Sequence, residues 1–253
     1  MTSNAEDGVV PTPDPLEGIP PLVTKTLTEE NDKVAALKLI ADSIAQQRQQ
    51  ASRAIIFHPL TIAVYILLLA IVSNFMYKTR SDLGIVATTS AGITMACLIA
   101  VRGITGGYLN LAEEFNWKFA TNEDGEEDII IGSRYGEEIM GALILRLEKN
   151  GNGSGKKKTK SAKTGGKGVV RAWTVRIKYR GRGVGTELLE EAVNITREKL
   201  GNSAEIGFAA EHANSKMILP ELFNSSFRKR EAKAAKALDT VMESTDTGSK
   251  KKR

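Results

Sequence analysis

Three glycines and two arginines lie within six consecutive residues, Arg180-Gly181-Arg182-Gly183-Val184-Gly185. Because glycine has no Cβ atom, backbone N–H groups can converge on a ligand at such a turn. If a helix begins there, its first N–H groups are unpaired and its N-terminus has a partial positive charge, a combination suited to binding phosphate. Two better-known phosphate motifs do not fit. The lysine and hydroxyl residue of a P-loop are missing after Gly185, and Leu188 replaces the third glycine of a dinucleotide motif.

The residues on either side of this loop predict a strand before it and a helix after it. From Ala172 to Tyr179 the side chains alternate, which is typical of a half-buried strand. The face predicted to be apolar consists of Trp173, Val175, Ile177 and Tyr179, and the opposite face of Ala172, Thr174, Arg176 and Lys178. After the loop the apolar period becomes helical, with the apolar positions Val184, Leu188, Ala192 and Ile195.

Two long segments, 54–77 and 83–101, contain no Asp, Glu, Lys or Arg. At about 1.5 Å per helical residue, each is close to or longer than a hydrocarbon core of about 30 Å. The sequence therefore predicts two transmembrane helices, the alternative being a pair of buried core helices. Since only Lys78-Thr79-Arg80-Ser81-Asp82 separates the runs, they would form an antiparallel hairpin with both flanking parts on one side.

Basic residues favour the cytosol for both termini. The flanking parts hold Lys38, Arg48, Arg53, Arg102 and Lys118, against two basic residues in the short loop. The first 50 residues are polar, so no cleavable signal peptide is expected. The only cysteine, Cys97, falls within the second apolar run, and we expect no disulfide framework. The chain has a net charge of +5, and we expect neither a metal site nor nucleic-acid binding.

The remaining segments predict a small mixed α+β domain interrupted by the hairpin. Residues 1–20, with four prolines and no basic residue, read as a disordered tail. The spacing Thr26-Leu27-Thr28-Glu29 predicts a capping box before a helix. Further predicted strands are 21–26, 128–133, 139–147 and 203–210, and further predicted helices are 108–117, 214–224 and a surface helix over 228–242. Residues 149–168, rich in lysine and glycine, read as a flexible loop or a contact for anionic lipid headgroups.

The pattern R-x-x-G-x-G, carried by Arg180, Gly183 and Gly185, resembles the coenzyme A pyrophosphate loop of the GNAT superfamily of N-acetyltransferases. Tyr179 directly before the loop and Gly141 after Ile139-Met140 resemble other positions of that family. The order of elements over about residues 21–227 is similar to its fold, and most similar to a membrane-anchored subgroup with a two-span hairpin after the first helix.

This resemblance implies a GNAT-like α+β fold, a mixed sheet flanked by helices and interrupted by a transmembrane hairpin. The implied domain organisation is a tail at 1–20, a first strand and helix at 21–53, the hairpin at 54–101, the core at 102–227 and a charged helical tail with a basic end at 228–253.

The resemblance also implies acyl transfer from acetyl-CoA, or another acyl-CoA, to an amine. The backbone of Val175 and Ile177 would pair with the pantetheine arm, and the six residues from Arg180 to Gly185 would hold the phosphates. An amine is mostly protonated at neutral pH, so a base is needed. We expect it at Glu211 or His212. The chain departs from the family in lacking a carboxylate on the loop's strand, in having Leu222 where a tyrosine acid is usual, and in lacking the family's last two strands.

The end of the chain suggests a location. Lys250 and Lys251, fourth and third from the end, resemble the dilysine retrieval signal that coat proteins read on the endoplasmic reticulum. The sequence thus supports two hypotheses: an acyltransferase of that membrane, or a non-enzymatic trafficking factor for a membrane-protein client. The second is similar in layout to fungal packaging chaperones of a phosphate transporter.

Overall fold

A computed structural model describes residues 21–122, 125–148 and 165–251, with side chains as far as Asp246. The predicted tail at 1–20 and most of the lysine- and glycine-rich loop lie outside the described residues. The strands are β1 (Leu22–Thr26), β2 (Ile129–Tyr135), β3 (Glu138–Glu148), β4 (Lys167–Val175) and β5 (Glu205–Phe208). The helices are α1 (Glu30–Ile56), α2 (Pro59–Met76), α3 (Leu83–Ile104), α4 (Gly107–Glu114), α5 (Val184–Leu200) and α6 (Ser225–Lys251).

The five strands form one sheet in the order β1-β2-β3-β4-β5. Neighbours are antiparallel except β4 and β5, which are parallel and joined by α5. The hydroxyls of Thr24 and Ser133 share a hydrogen bond of 2.7 Å across the β1–β2 pair. The predicted mixed α+β sheet flanked by helices is confirmed.

Both faces of the sheet are covered by helices. On one face, Leu188, Leu189 and Val193 of α5 pack with Leu143 and Val170, and α6 adds two buried side chains to this cluster. On the other face α1 packs its apolar stripe on β2, β3 and β4. Each fully buried aliphatic side chain contributes about 1.5 to 3 kcal/mol, so these two layers hold the sheet in place.

The strand before the glycine loop is shorter than predicted. β4 ends at Val175, and Ile177–Tyr179 form a 3₁₀ turn in which the Tyr179 N–H donates to the Arg176 carbonyl. The prediction that Ile177 lies on a half-buried strand is therefore wrong, and its side chain is 60% exposed. The face of the strand opposite to the predicted apolar face is also buried, so the prediction of a half-buried strand is wrong. Ala172 is 2% exposed because α1 covers that side of the sheet.

A β-bulge in the pairing of β3 with β4 lies at Arg171, where β4 and β5 part. The pairing of β3 with β4 passes from Ile144↔Ala172 to Leu145↔Val170, which leaves Arg171 unpaired on the ladder. β5 follows β4 only from Lys167 to Val170. The Ala213 N–H then donates to the Arg171 carbonyl at 2.8 Å, and the chain turns away. The last four residues of β4 therefore have no strand on their outer side within the described part of the chain.

Three helix predictions require correction. The capping box at Thr26–Glu29 is wrong, since α1 starts at Glu30 without a side-chain cap at Glu29. The predicted helix over 214–224 is wrong, since the chain there forms turns and a single 3₁₀ turn, Glu221–Phe223, after Pro220. Helix α6 exists, but it is not only a surface helix, because its residues Leu238 and Val241 are buried against α5.

The two apolar runs form an exposed helical hairpin. Helices α2 and α3 contain no buried residue, which contradicts the alternative of buried core helices in this chain. By length and composition alone, the segments Pro59–Met76 and Arg80–Glu114 are sufficient to cross a membrane, each having an 18-residue stretch with a mean hydropathy of 2.1 or 1.9, respectively. The Tyr65 and Thr94 hydroxyls join the helices at 2.7 Å. The apolar run that begins at Ala54 does not form one helix. Its first residues belong to α1, which continues to Ile56, and α2 begins only at Pro59.

Candidate functional site

The predicted phosphate loop presents consecutive free backbone donors. Gly181 and Gly183 have φ angles of +77° and +89°, which glycine adopts at little cost. Gly183 caps α5, and its carbonyl accepts from Thr186 and Glu187. Among the described residues, the N–H groups of residues 181 to 185 donate to nothing. They form a cluster of donors at the positive end of α5, as an anion site requires.

The third glycine of the loop allows the helix to contact the strand. A Cβ atom at Gly185 would lie 2.9 Å from Cζ2 of Trp173, too close for any other residue without a shift. The Trp173 indole Nε1–H donates to the Gly185 carbonyl at 3.1 Å. The loop is therefore fixed to β4 by packing and by a hydrogen bond.

The outer edge of β4 leads to this loop. The Arg176 N–H donates to the Met140 carbonyl of β3 at 2.8 Å. Since alternate residues of an antiparallel ladder face the same neighbour, Trp173 and Val175 direct their backbone groups away from β3. Val175 thus lies on the edge where the sequence predicted it, whereas Ile177 lies in the 3₁₀ turn beyond the strand.

Arg180 turns back onto the strand instead of extending over the loop. Its Nε donates to the Val175 carbonyl at 2.7 Å, and its Nη2 to Oε1 of Gln46 on α1 at 3.3 Å. Burial lowers the pKa of Arg180, and the nearby positive charge of Arg230 lowers it further. Arg182 is exposed, with its guanidinium 6.0 Å from the Tyr179 ring centroid. Arg182 is therefore the exposed cation of the loop, and Arg230 of α6 lies close enough to Arg180 to lower its pKa.

The two residues predicted as the base lie in different surroundings. Glu211 is exposed, and His212 is partly buried. Nε2 of His212 faces Oε1 of Glu231 on α6 at 3.8 Å. Nδ1 of His212 accepts from the Asn214 N–H at 3.2 Å, so the proton of the neutral ring belongs on Nε2. Burial lowers the pKa of His212, and the charge of Glu231 opposes this.

A polar cluster that the sequence predictions missed joins the segment after β5 to α1. Nε2 of Gln47 donates to the Asn214 carbonyl at 3.1 Å, and Nδ2 of Asn214 donates to the Ser43 hydroxyl at 3.4 Å. Oδ1 of Asn214 is buried and has no hydrogen-bond partner within the described ranges. The available signal was the i, i+4 spacing of Ser43 and Gln47 beside the apolar stripe of α1.

The departures from an acetyltransferase site are visible in the structure. Leu222 lies in the 3₁₀ turn with its side chain 51% exposed, and Phe223 packs edge-on against His58. Neither can donate a proton. After β5 the described residues contain no further strand, and the 3₁₀ turn Glu221–Phe223 and then α6 follow.

Residues 105–218 match the model of the acetyltransferase (GNAT) family. This range covers α4, the five-residue donor cluster and four of the five strands. The mixed sheet, its loop and the helix after it have the GNAT-like arrangement that the sequence predicted. A comparison with curated proteins gives no match.

Solved structures with some likeness come from bacteria and soil samples. An aminoglycoside acetyltransferase from an uncultured soil metagenomic sample, solved with trehalose, is 11% identical, with 48% of this chain and 62% of that chain covered and a TM-score of 0.27. The present chain thus spans less than two thirds of that protein. A transcriptional regulator from Bacillus halodurans C-125 is 12% identical, with 84% of this chain and 91% of that chain covered and a TM-score of 0.31.

Proposed function

We propose that this chain, whose residues 105–218 match the acetyltransferase (GNAT) family model, transfers an acyl group from acetyl-CoA or another acyl-CoA to an amine at the cytosolic face of the endoplasmic reticulum. The observation that carries this proposal is the run of unpaired N–H groups from Gly181 to Gly185, next to the open edge of β4. A pyrophosphate offers acceptor oxygens for unpaired donors of this kind at a helix N-terminus.

In this proposal the coenzyme, when bound, supplies a thioester that an amine can attack. The N–H groups of the donor cluster bind its phosphates, and the backbone of Trp173 with the N–H of Val175 orients its arm. The Val175 carbonyl is already occupied by Arg180, so Arg180 marks the end of the edge nearest the loop. Arg182 and Arg230 add positive charge around the phosphates.

The amine must lose a proton as its nitrogen bonds to the carbonyl carbon and the carbon–sulfur bond breaks. We assign this proton to the Glu231 carboxylate instead of the predicted Glu211 or His212, because Nδ1 of His212 accepts from Asn214 and Nε2 carries the ring proton. Burial favours the neutral form of His212, and Glu231 is the carboxylate that faces its Nε2–H. The leaving thiolate takes its proton from solvent, since Leu222 replaces a tyrosine donor.

The location in the membrane rests on α2 and α3 and on charge. The hairpin inserts in the lipid bilayer, with both termini cytosolic as the basic residues predict. Lys250 and Lys251 would then be accessible to the coat proteins that retrieve membrane proteins to the endoplasmic reticulum. The backbone of both lysines belongs to α6.

A second candidate function is a catalytically inactive scaffold that assists the trafficking of a membrane-protein client, such as a phosphate permease. Two observations favour it: Leu222 at the position of the acid, and α6 following β5 where the family has further strands. This candidate predicts a folded domain without coenzyme affinity.

Titration calorimetry of acetyl-CoA into the detergent-solubilised chain separates the two. Gly183→Val should abolish micromolar binding, because a β-branched residue is strained at φ +89°. Gly125→Val is the matched control, since Gly125 has φ +81°, equally open space and a position at the opposite end of the sheet. Absence of binding by the folded wild-type chain would favour the scaffold.

A further inference from the structure

An open cavity of about 630 Å³ lies between α1 and the end of α3, where the hairpin joins the folded domain. Its walls come from Asp42 to Ile56 of α1 and from Leu98 to Arg102 of α3. It therefore lies on the α1 side of the sheet, outside the donor cluster that binds the coenzyme in the proposed function.

The cavity changes from polar to apolar along its length. On α1 its lining passes from Gln46 and Gln49 to Ile56, which is the last residue before the turn into α2. On α3 the lining passes in the opposite chain direction, from Leu98 in the apolar helix to Arg102 in its last turn. Both walls thus become apolar towards the hairpin, so a ligand that fits both ends is an amphiphile.

The polar end carries two arginines without counter-ions. Within the described residues, the Arg48 and Arg102 guanidinium groups make no ion pair and no hydrogen bond; Arg48 is half-buried and Arg102 is exposed. Asp42 is the one acidic residue of the lining and contacts neither arginine. A partly buried guanidinium without a partner is costly, and a phosphate is the anion that two arginines bind best.

The cavity floor is also held in place. The Ser52 hydroxyl donates to the Arg48 carbonyl at 2.9 Å and shares a hydrogen bond of 3.2 Å with the Thr105 hydroxyl at the end of α3. The two walls are therefore connected near Arg48 by a hydrogen bond between α1 and the end of α3.

We propose that this cavity binds the phosphate headgroup of an anionic phospholipid, with Arg48 and Arg102 on the phosphate and Leu98 and Ile56 against the acyl chains. Basic pockets at the cytosolic end of membrane helices bind such headgroups in general. This inference rests on the proposed insertion of the hairpin, and it is independent of acyl transfer.

The test uses the full chain in detergent, with binding followed by native mass spectrometry. The probes are dioctanoyl phosphatidic acid, dioctanoylglycerol, which has the same chains without phosphate, and inorganic phosphate. We expect only phosphatidic acid to bind at micromolar concentration. Equal binding of dioctanoylglycerol would leave only an apolar contact, and equal binding of inorganic phosphate would indicate a free-anion site. Either result would overturn the proposal.

The double variant Arg48→Gln/Arg102→Gln should weaken phosphatidic acid binding by roughly tenfold or more. Arg53→Gln/Arg80→Gln is the control, since it removes the same charge outside the cavity. An equal loss in both would show general electrostatic attraction and contradict the site. Extraction of membranes at alkaline pH separates the premises: release of the chain would overturn hairpin insertion, whereas retention without lipid binding would overturn the lipid site alone.

Discussion

Arg171, the bulged residue of β4, donates through Nη1 to the buried carboxylate of Asp128 at 2.7 Å. Arg146 of β3 donates to both oxygens of the same carboxylate, at 2.7 and 2.9 Å. Arg171 also donates to the Phe119 carbonyl and lies over the Phe119 ring. One carboxylate before β2 therefore holds the bulged residue at the point where β4 and β5 part.

Asp128→Asn should destabilise the chain strongly, because it leaves two partly buried guanidinium groups without a negative partner. We expect the free energy of unfolding to fall by about 3 kcal/mol, measured by denaturant titration of the detergent-solubilised chain. Glu138→Gln removes the carboxylate of the exposed Arg176–Glu138 pair and should cost less than about 1 kcal/mol. Similar losses in the two variants would contradict the structural role of Asp128.

Arg180 should act on coenzyme binding through its position. Arg180→Met roughly keeps the length of the side chain but removes its hydrogen bonds to Val175 and Gln46. The loop is then no longer held against the edge of β4 by this side chain. We expect acetyl-CoA affinity to fall by roughly tenfold in calorimetry, with a smaller effect of Arg182→Met, whose side chain is exposed. If Arg182→Met lowered the acetyl-CoA affinity more than Arg180→Met, direct attraction between Arg182 and the phosphates would be the main contribution instead.

His212 should make stability depend on pH. Since burial lowers the pKa of His212 in the folded chain, the unfolded chain binds more protons at pH values between the lowered pKa and the ordinary value of about 6.5. The free energy of unfolding should therefore be fully retained above that value and decrease as the pH falls through this window. His212→Asn should flatten this part of the profile.

Glu231→Gln should change the pH dependence of stability in the opposite direction to His212→Asn. The Glu231 charge raises the pKa of His212, so its removal should lower that pKa further and make the loss of stability in acid larger. Parallel profiles of Glu231→Gln and the wild-type chain from about pH 7.5 to about 5.5 would show that the two side chains are not coupled in solution.

Replacing Lys250 and Lys251 with serine should release the chain from the endoplasmic reticulum to later compartments, as seen by cell fractionation. The matched control replaces Lys229 and Lys233, which lie on the same helix and carry the same charge. An unchanged distribution of the first variant, with the hairpin intact, would remove the retrieval hypothesis.

The apolar patterns of the sequence were sufficient to predict most of the fold. Short apolar runs predicted the strands around Ile131 and Leu143, because strands covered on both faces are apolar throughout, and helical spacing predicted the helix from Val184. The end of β4 was not predictable, since Ile177 continues the alternation while the chain turns through backbone hydrogen bonds. The 214–224 segment has helical composition but is held by tertiary contacts, such as the Tyr108 hydroxyl accepting from the Ile218 N–H.

The site was predictable where it depends on local backbone and not where it depends on distant contacts. The glycine loop could be recognised from six residues because its conformation is local. The partner of His212 could not, because Glu231 is on a helix that local patterns do not place beside β5. For the same reason, no sequence pattern predicts the cavity between α1 and the end of α3.

The pairing of β1 with β2 sets the order in which the protein can mature. During synthesis β1 leaves the ribosome about 100 residues before its partner strand, and α2 and α3 separate the two. Until then β1 has no partner strand, and α1 lacks the sheet that its apolar stripe covers. Closing so long a loop is slow, and α2 and α3 lie within it. A variant that delays the folding of these two helices will leave a sheet without β1 exposed to chaperones and proteases, even though no residue of the sheet has changed.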